Sequence, residues 1–451
     1  LGGVPAGDQG GRFSRAGYAA AVVTDVRVIA GQVTTVNGTL RPEFFEMEEY
    51  EVTAEVFQEQ ALTILQERQE GSAILEAIGS EQFRKLGVSD AADIMTKVTG
   101  TTVVEGKFAV IRGLGDRYNV TLLNGAEIPT ADPYRRAAQL DMIPAAMIER
   151  MLVSKTFTPD LPGGFAGGAA NIITRSFPEK FKMSLSLGME YNTQATGNPD
   201  FLTYKGGGTD WAGFDDGTRA LPSEVSDRAL GPGTINDPEE RRAATLAFDD
   251  DFRVQRQRIG MMPIDKLTLS IGNRFRFGRN RSLGVLVAGG WRLTRQRRED
   301  EVLRTPKLSN ADDPDDLSVE QQNLLRRESF QQEAQLYALG ALSLELGENH
   351  ELLFDTVINQ IGVDYTGLDR GIIESLDTAA PSLRGRLQFA SRQIRIQQLR
   401  GRHFLGNARI KWHAEASQGR YYEPDTRDFR YRPDDMNLGS TWPTDPWGPE
   451  R

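Results

Sequence analysis

The sequence predicts a mainly β protein in which a small α/β domain is followed by antiparallel strands of a transmembrane β-barrel. Three observations support this fold class. Apolar and polar residues alternate strictly from about residue 181, the connections between these segments are short and long by turns, and residues 61–178 mix helical and strand patterns. With 46 glycines and 39% hydrophobic residues, the chain fits neither a disordered acidic tail nor a helical bundle.

The composition excludes several classes of function. The 53 Lys+Arg and 63 Asp+Glu residues give a net charge of −10, and no basic block supplies the face that nucleic acid requires. The absence of cysteine excludes disulfides, thiolate metal sites and cysteine nucleophiles. Only three histidines are present, so we expect no metal site and no cofactor. No apolar run approaches the roughly 20 residues of a transmembrane helix, so contact with a membrane requires a β-barrel.

Residues 1–40 are predicted to be the end of a β-sandwich domain. Residues 1–15 are glycine-rich and are interpreted as a loop, and β-branched runs at 18–29 and 33–40 flank a turn at Ala30-Gly31. A lone hairpin is marginal in water, so we interpret this one as the end of a larger domain. The stretch resembles the last strands of carboxypeptidase-regulatory-like domains. The chain begins with Leu and shows no signal segment, which favours a processed chain or a fragment.

Residues 41–60 are acidic and are predicted to be a linker, after which residues 61–178 form the α/β domain. Asp90 is a good N-cap for a helix that Gly100 ends. A second helix is predicted at residues 145–150. Strands are predicted at residues 101–104, 108–112, 121–123 and 151–155.

Residues 179–451 are predicted to form the first part of an outer-membrane β-barrel with long external loops. In the segments that begin near residues 183, 267, 283 and 408, apolar side chains occupy every second position and charged or small side chains lie between them. A lipid-facing exterior and a polar interior produce this pattern over nine or more residues. A soluble antiparallel sandwich alternates too, so the pattern alone leaves that alternative open.

The connections between the segments favour the barrel. Short turns are predicted around Gly278, Gly347 and Gly406, whereas the connections at residues 192–263, 295–330 and 363–390 are long and polar. Short turns at one rim and long loops at the other are typical of outer-membrane barrels. A sandwich has no reason to sort its loops in this way.

The segment from residue 111 to 175 resembles the plug domain of TonB-dependent outer-membrane receptors. The residues that carry the resemblance are Arg112, Gly113, Asn124, Gly125, Pro144, Glu149, Arg150, Lys155, Gly167, Gly168, Asn171 and Thr174. One departure is Thr99-Gly100-Thr101, where plugs of this family often carry Pro-Gly-Val. The resemblance covers about residues 50–180 as plug and, more loosely, residues 181–422 as barrel strands.

The resemblance implies a location in the outer membrane of a Gram-negative bacterium and a transporter rather than an enzyme. Such proteins import a siderophore, cobalamin or an oligosaccharide, driven by TonB and the inner-membrane energising complex, and they contact outer-membrane lipid. A short N-terminal strand, the TonB box, pairs with TonB by β-augmentation. The candidate box here is Tyr50, Glu51, Val52, Thr53 and Ala54, and an ordinary linker or first plug strand is the alternative.

The polar side chains of the plug have two readings. Arg112, Arg117 and other charged residues of the plug can pair with the barrel wall and hold the plug, or they can pair within the plug alone. By resemblance, the loops at residues 116–119 and 130–136 are predicted to face outwards. The substrate-binding candidates are Asp116, Arg117, Asn119, Asp132, Tyr134 and Arg135. Because the loops are acidic, a bare anion is disfavoured as ligand.

Other chemistry finds little support. The sequence has no phosphate-binding Gly-Lys-Ser/Thr loop, and acidic runs such as residues 312–316 are interpreted as solvated loops rather than calcium sites. A non-transporting surface receptor or adhesion scaffold remains an alternative function. A secreted hydrolase is a third possibility, but no Ser/His/Asp or spaced carboxylate set supports it.

The predicted strands also lead to an expectation about chain length. Seven strands are counted between residues 182 and 420, whereas plugged barrels use about 22. Seven strands cannot close around a plug, and an open edge would expose unpaired backbone to lipid. We therefore expect a plug against an open sheet of about seven strands, in a chain that lacks most of its barrel.

Overall fold

The computed structural model describes residues 5–15, 18–36, 75–158, 161–220, 237–247, 254–257, 264–278, 280–308, 319–347, 349–373 and 382–431. The chain divides into two compact units, residues 1–63 and 64–451. The acidic linker at residues 41–60 lies outside the described residues, and so does the candidate TonB box at residues 50–54.

The first unit contains an antiparallel hairpin of β1 (Gly7–Arg15) and β2 (Tyr18–Val28). The predicted hairpin was therefore placed one strand too late. The glycine-rich start is a strand, whose backbone pairs with β2 from Gly7 to Arg15. The turn at Gly31 exists, with φ of +79°, but no strand follows it in residues 33–36.

The α/β domain of the second unit is built on a five-stranded sheet. Its strands are β3 (Leu75–Gly79), β6 (Asn119–Leu123), β7 (Ala126–Glu127), β8 (Ile148–Ser154) and β9 (Gly168–Thr174). The spatial order is β3-β8-β9-β6-β7, and only β6 and β9 run parallel. A separate hairpin joins β4 (Thr101–Val104) to β5 (Phe108–Ile111).

Two short helices complete the domain: α1 (Ser80–Leu86) contacts β3 and β8, and α2 (Ala91–Met95) contacts β4 and β5. Asp90 caps α2 as predicted, since its carboxylate accepts a 3.0 Å hydrogen bond from the backbone nitrogen of Asp93. The predicted helix at residues 145–150 is only a 3₁₀ turn at Ala145–Met147. Strand β8 takes over at Ile148, because its side chain is fully buried and its backbone pairs with β9.

The predicted sheet of seven strands is present. Its strands are β10 (Lys182–Gly188), β13 (Lys266–Arg276), β14 (Arg281–Leu308), β15 (Val319–Leu346), β16 (His350–Ile373), β17 (Ser382–Leu405) and β18 (Ala408–Tyr431). They are hydrogen-bonded in that order, and all neighbours run antiparallel. Within the described residues, β10 and β18 form its two edges.

The strands are longer than predicted. The strands β14 to β18 have 24 to 28 residues, whereas about 9–11 residues cross a bilayer. Much of the predicted loops at residues 295–330 and 363–390 is therefore strand. The short turns are confirmed, with positive φ at Gly278, Gly347 and Gly406.

The two faces of the sheet differ near the short turns. Leu269, Val287, Leu342 and Ile358 are between 38% and 60% exposed, as the predicted lipid-facing side requires. Their neighbours along each strand point to the opposite face, where they are covered by the α/β domain. We call the covered side the inner face and the other side the outer face. No helix among the described residues is long and apolar enough to cross a membrane.

A small module lies on the outer face, beyond the exposed apolar band. It includes the hairpin of β11 (Phe201–Tyr204) and β12 (Val254–Gln257), and helix α3 (Pro238–Leu246) follows β11 in the chain. The side chains of β11 share a buried cluster with Phe330, Leu368 and Leu387 of the sheet. We call the described residues 192–220 and 254–257 the outer module.

Candidate functional site: the plug contacts and the wall above them

The α/β domain docks on the inner face through a few polar side chains of the sheet. Arg392 of β17 forms a 2.8 Å ion pair with Asp141, and both side chains are mostly buried, at 7% and 16% exposure. Gln398 donates a 2.7 Å hydrogen bond to the carbonyl oxygen of Leu123. Asn359 of β16 donates to the carbonyl oxygen of Met142. These polar contacts are separate from one another along the interface.

Apolar packing continues across the same interface. One buried cluster joins the domain, through residues such as Ile94 and Ile143, to Leu339, Val357 and Ile396 of the sheet. These sheet residues share a face with Asn359 and Gln398, because side chains two apart on a strand point to the same side. The interface on the inner face thus combines apolar packing with a few polar contacts.

The link from the domain to the sheet is tightly seated. A β-carbon built on Gly284 would lie 2.3 Å from the ring of Phe177, and one on Gly272 would lie 2.5 Å from Pro178. The carboxylate of Glu179, next in the chain, pairs with Arg274 and Arg276. The glycines leave the space that the link requires.

Several residues of the predicted plug motif form one turn and its supports. Asn124 and Gly125 both have positive φ, at 52° and 92°. The side chain of Asn124 donates 3.0 Å hydrogen bonds to Thr174 and to Gln398 of the sheet. Asn171 accepts a 3.0 Å bond from the nitrogen of Gly125. This turn is therefore part of the interface as well as of the fold.

Other motif residues are needed for close packing. A β-carbon on Gly167 would lie 2.2 Å from the side-chain oxygen of Asn119, and one on Gly168 would lie 2.9 Å from Ile111. Asn119 donates to three backbone carbonyl groups, those of Ala109, Leu114 and Gly115, at 3.0–3.1 Å. Asn119, predicted as a substrate contact, therefore has a structural role in this state.

The charged side chains predicted to hold the plug pair mainly inside it. Glu149 pairs with Arg150 at 2.9 Å, and Lys155 pairs with Glu76. Arg135 pairs with Glu105 at 2.6 Å and lies 3.9 Å from Asp116. This agrees with the second of the two readings of the sequence. Asp141 and Arg392, which join the domain to the sheet, were missed.

The loop at residues 130–136 is near the inner face, far along the strands from the short turns. The carbonyl oxygen of Thr130 would touch a β-carbon on Gly419 of β18. Asp132 accepts hydrogen bonds from the nitrogens of Tyr134 and Arg135, which shapes the loop. Tyr134 is 91% exposed and remains available to a ligand. The neighbouring predicted contact, Arg117, packs over the ring of Tyr118 at 5.1 Å.

Burial perturbs two titratable groups of the α/β domain. Burial raises the pKa of Asp90 to about 7, reinforced by the nearby carboxylates of Asp93 and Asp141 and opposed by the hydrogen bond from Asp93. Burial lowers the pKa of Lys107, reinforced by Arg392 and opposed by Asp141. Both groups therefore lie in the poorly solvated region around the ion pair of Asp141 and Arg392.

Beyond the docked domain, the inner face carries a group of arginines that the sequence analysis missed. Arg327 forms a bidentate pair with Asp369, at 2.6 and 2.9 Å, and Arg386 forms one with Asp428, at 2.8 and 2.9 Å. Arg384 lies 4.0 Å from Asp369. The alternation of Leu383, Leu387 and Phe389 with these arginines was a usable signal, but it falls in a stretch that was interpreted as loop.

Comparisons with known proteins were made for the whole chain. A family model described as "TonB-dependent Receptor Plug Domain" matches residues 67–170. No curated protein sequence matches the chain. Among solved structures, it is similar to the siderophore receptor PirA from Pseudomonas aeruginosa, with 12% identity and a TM-score of 0.26 over 80% of this chain and 58% of that one.

Two further structures have similar statistics. The siderophore receptor PirA from Acinetobacter baumannii is 11% identical, with a TM-score of 0.26 over 79% of this chain and 59% of that one. The siderophore receptor PiuA from the same organism is 11% identical, with a TM-score of 0.33 over 77% and 45%. The chain thus spans less than two thirds of the length of these receptors. The match to residues 67–170 identifies a plug domain in that part of the chain.

Proposed function

We propose that this chain is a TonB-dependent outer-membrane receptor and that it takes part in the TonB-driven uptake of a scarce, large nutrient. The family is one of receptors and transporters rather than enzymes, and it lies in the outer membrane of Gram-negative bacteria. One observation carries the proposal: the plug domain is fastened to the inner face of long antiparallel strands by a small set of exchangeable polar contacts.

The chemistry of this interface suits a plug that moves. The net value of a neutral hydrogen bond is about 1 kcal/mol, because water offers replacement partners when the bond breaks. The pair of Asp141 and Arg392 is costly to separate in a dry site, but it becomes cheap once water enters. Displacement that admits water therefore proceeds in small steps and does not require the unfolding of the sheet.

We infer that residues 50–54 act as the TonB box, where an extended peptide adds a strand to a sheet of TonB. Three features support this choice. The segment precedes the plug, it contains the β-forming residues Tyr50, Val52 and Thr53, and it lies in the acidic linker. Energised uptake is then independent of catalysis by this chain. It depends on the transfer of force from this segment to the plug.

The test is the replacement of residues 50–54 by a Gly-Ser segment of equal length in cells that express the protein. We expect uptake of the transported nutrient to stop, while ligand binding to purified protein persists. The matched control is the same replacement at residues 41–45 of the acidic linker. Uptake that survives the first replacement would show that these residues are not the box.

The alternative function, a non-transporting surface receptor, predicts binding without accumulation. Cells with a dissipated proton gradient distinguish the two, since only active uptake depends on the gradient. Growth on iron-limited and on glycan-limited medium separates siderophore-type from sugar-type nutrients. Impaired growth of a deletion strain on only one of these media would identify the class.

A further inference from the structure

Four side chains form a row across the outer face of the sheet, beside the short turns. Arg281 of β14 is opposite Leu346 of β15, which is in turn opposite His350 of β16. His350 is opposite His403 of β17. The side chains of directly opposed residues point to the same side of a sheet. Leu346 shares its side with the exposed Leu342, so the whole row lies on the outer face. We call these four residues the rim row.

The rim row carries one permanent charge in apolar surroundings. Among the described outer-face residues of β13 to β18 within five positions of the short turns, Arg281 is the one permanently charged side chain. Glu345 and Glu351 are next in sequence to the row, so they face inwards, where they pair with Arg274 and Arg402. No carboxylate of the described residues pairs with Arg281. Its outer-face neighbours include Phe275, Phe277, Leu283, Leu344, Leu352 and Leu405.

Three rings fix the positions of the protons on the two histidines. Trp412 of β18 donates a 3.0 Å hydrogen bond from its indole nitrogen to Nε2 of His403. An indole nitrogen can only donate, so Nε2 of His403 carries no proton and Nδ1 of this neutral ring carries one. Nδ1 of His403 then donates to Nδ1 of His350, 3.1 Å away. The proton of His350 is therefore on Nε2, and this N–H has no acceptor among the described residues.

A cavity of about 640 Å³ opens at the rim row, bordered by both Arg281 and His350. Two apolar side chains, Phe277 and Leu346, also border it. The rest of the border is formed by residues of the short turns, which are Gly278, Asn280 and Gly347. Neighbouring strands are about 4.8 Å apart, so the backbones of Arg281 and His350, two strands apart, are separated by roughly 10 Å. One tetrahedral oxyanion fits between the two side chains.

We propose that this cavity binds the phosphate group of a membrane phospholipid, whose acyl chains lie along the exposed apolar side chains of the outer face. Arg281 supplies a charged donor, and the Nε2–H group of His350 supplies a second donor on the other side of the phosphate. The proposal rests on the proposed outer-membrane location. Because the short turns of such barrels are periplasmic, the lipid belongs to the periplasmic leaflet.

The surroundings favour a lipid over a free phosphate. Acyl chains cover Phe277 and Leu346, whereas a free anion leaves these side chains in water. The exposed apolar surface continues from the rim row along the strands, through Leu342 and Val287. Trp412 is partly exposed at the same rim, as is typical of aromatic residues at the membrane interface. The rim row therefore lies where the head groups of the lipid meet their acyl chains.

The test is lipid binding to the full chain, purified in detergent and measured by native mass spectrometry during titration. The probes are dioleoyl phosphatidylglycerol, dioleoylglycerol, which has the same chains without phosphate, and glycerol 3-phosphate, which has the phosphate without the chains. We expect the phospholipid to bind more tightly than both. Arg281→Gln should weaken its binding about tenfold or more, as for the loss of one charged hydrogen bond. His350→Phe keeps an aromatic ring but removes the donor, and should weaken it about fivefold.

Trp412 is a positioning residue, because it acts on the phosphate through the two histidines. Trp412→Phe removes the hydrogen bond to His403, so the proton of that ring can move to Nε2 and Nε2 of His350 can become an acceptor. This variant should weaken the binding of the phospholipid but leave the binding of dioleoylglycerol unchanged. A merely structural role of Trp412 would lower both.

The matched control is Arg409→Gln, an exposed arginine at the same rim whose side chain faces inwards, as does that of Glu415. This control should bind the phospholipid as the unchanged protein does. Equal binding of the phospholipid and dioleoylglycerol, equal binding of the phospholipid and glycerol 3-phosphate, or equal effects of Arg281→Gln and Arg409→Gln would overturn the inference. Because lipid binding needs no TonB, phospholipid binding without accumulation of nutrient in cells would refute the proposed uptake and leave this inference standing.

Discussion

The two faces of the seven-stranded sheet each hold a docked structure, and they do so by different means. On the inner face, Arg392, Gln398 and Asn359 each make separate contacts with the plug. On the outer face, Arg219 of the outer module lies near Asp364 of the sheet, beside hydrogen bonds from Gln360 and Trp291 of the sheet to backbone carbonyl groups of the module. The two faces therefore differ in their buried arginine, which pairs with Asp141 on the inner face and has several carboxylate partners on the outer face.

Arg219 is embedded as deeply as a core residue. Its side chain is 1% exposed and forms two hydrogen bonds to Asp210, at 2.7 and 2.6 Å. It also lies 3.7 Å from Asp364 of the sheet and 4.1 Å from the ring centre of Phe389. A buried charge with several partners is expensive to unpair, so this contact acts as a lock.

The backbones of the outer module and of the sheet also approach each other closely beside Arg219. Gly213 has φ of +79°, and its Cα atom would lie 2.5 Å from a β-carbon on Gly362. Trp211 and Trp291 meet there edge to face, at 6.5 Å between ring centres. The plug also has one such approach, since the carbonyl oxygen of Thr130 would touch a β-carbon on Gly419, but its three polar contacts with the sheet come from side chains.

The largest expected effect tests the lock. Arg219→Ala leaves Asp210 and Asp364 without their shared cation and should destabilise the outer module by about 3–5 kcal/mol. Hydrogen exchange of residues 201–220 measures this, and exchange in the plug should stay unchanged. Arg395→Ala, an exposed arginine on the same face, is the control. Protection of residues 201–220 that survives Arg219→Ala would end the distinction between the two attachments.

The second prediction concerns pH and the inner face. Asp90 has a pKa raised from 3.8 to about 7, so the folded plug binds a proton more tightly than the unfolded chain. The contribution of Asp90 to the stability of the plug should therefore be greatest below pH 4, fall as the pH rises from about 4 to 7, and stay constant above it. Asp90→Asn keeps the helix cap and should remove this dependence.

The gain from Asp90→Asn at pH 8 should be on the order of 2–4 kcal/mol, which corresponds to the raised pKa. The measurement is hydrogen exchange of α2 at pH 5 and pH 8, corrected for intrinsic exchange rates. Asp93→Asn is the comparison variant, since it removes a nearby carboxylate but keeps the titrating group. An unchanged pH dependence in Asp90→Asn would exclude Asp90 as its source.

The smallest effect sharpens the comparison from the side of the plug. In a double-mutant cycle, Asp141→Asn and Arg392→Gln should show a coupling energy of about 1–3 kcal/mol. The same cycle for Arg219 and Asp210 should give a larger value, because that pair is bidentate and drier. Equal coupling energies in the two cycles would mean that the ion pair between plug and sheet is as strong as the one inside the outer module.

The sequence predicted the repeated antiparallel strands of the sheet and the short turns between them. The alternation around Leu269 and Val287 predicted both the strands and their lipid-facing side, and the glycine turns predicted the short connections. The halves of the strands that lie farther from the short turns were missed for a physical reason. There the apolar side chains, such as Leu387, are covered by the outer module rather than by lipid, so the pattern continues past the thickness of a bilayer.

The candidate site was harder to predict than the fold. The adjacent pair Asn124-Gly125 predicts a turn by itself, and that turn is present. The partner of Asp141, by contrast, is on a strand far along the chain, and nothing near Asp141 encodes its choice of Arg392. Local patterns predict local geometry, whereas pairing across an interface depends on how two independently patterned surfaces meet.

The seating of Phe177 against Gly284 has a mechanical consequence. This contact anchors the end of the plug that leads into the sheet, so a load applied from the opposite end must be absorbed within the plug. Among the described residues, the opposite end of the plug begins at Leu75, whose strand lies at the edge of the plug sheet and pairs there with β8 alone. We expect a pull on this edge strand to separate the plug from the edge inwards. The anchored end then keeps the plug beside the sheet, so that it can return when the pull ends.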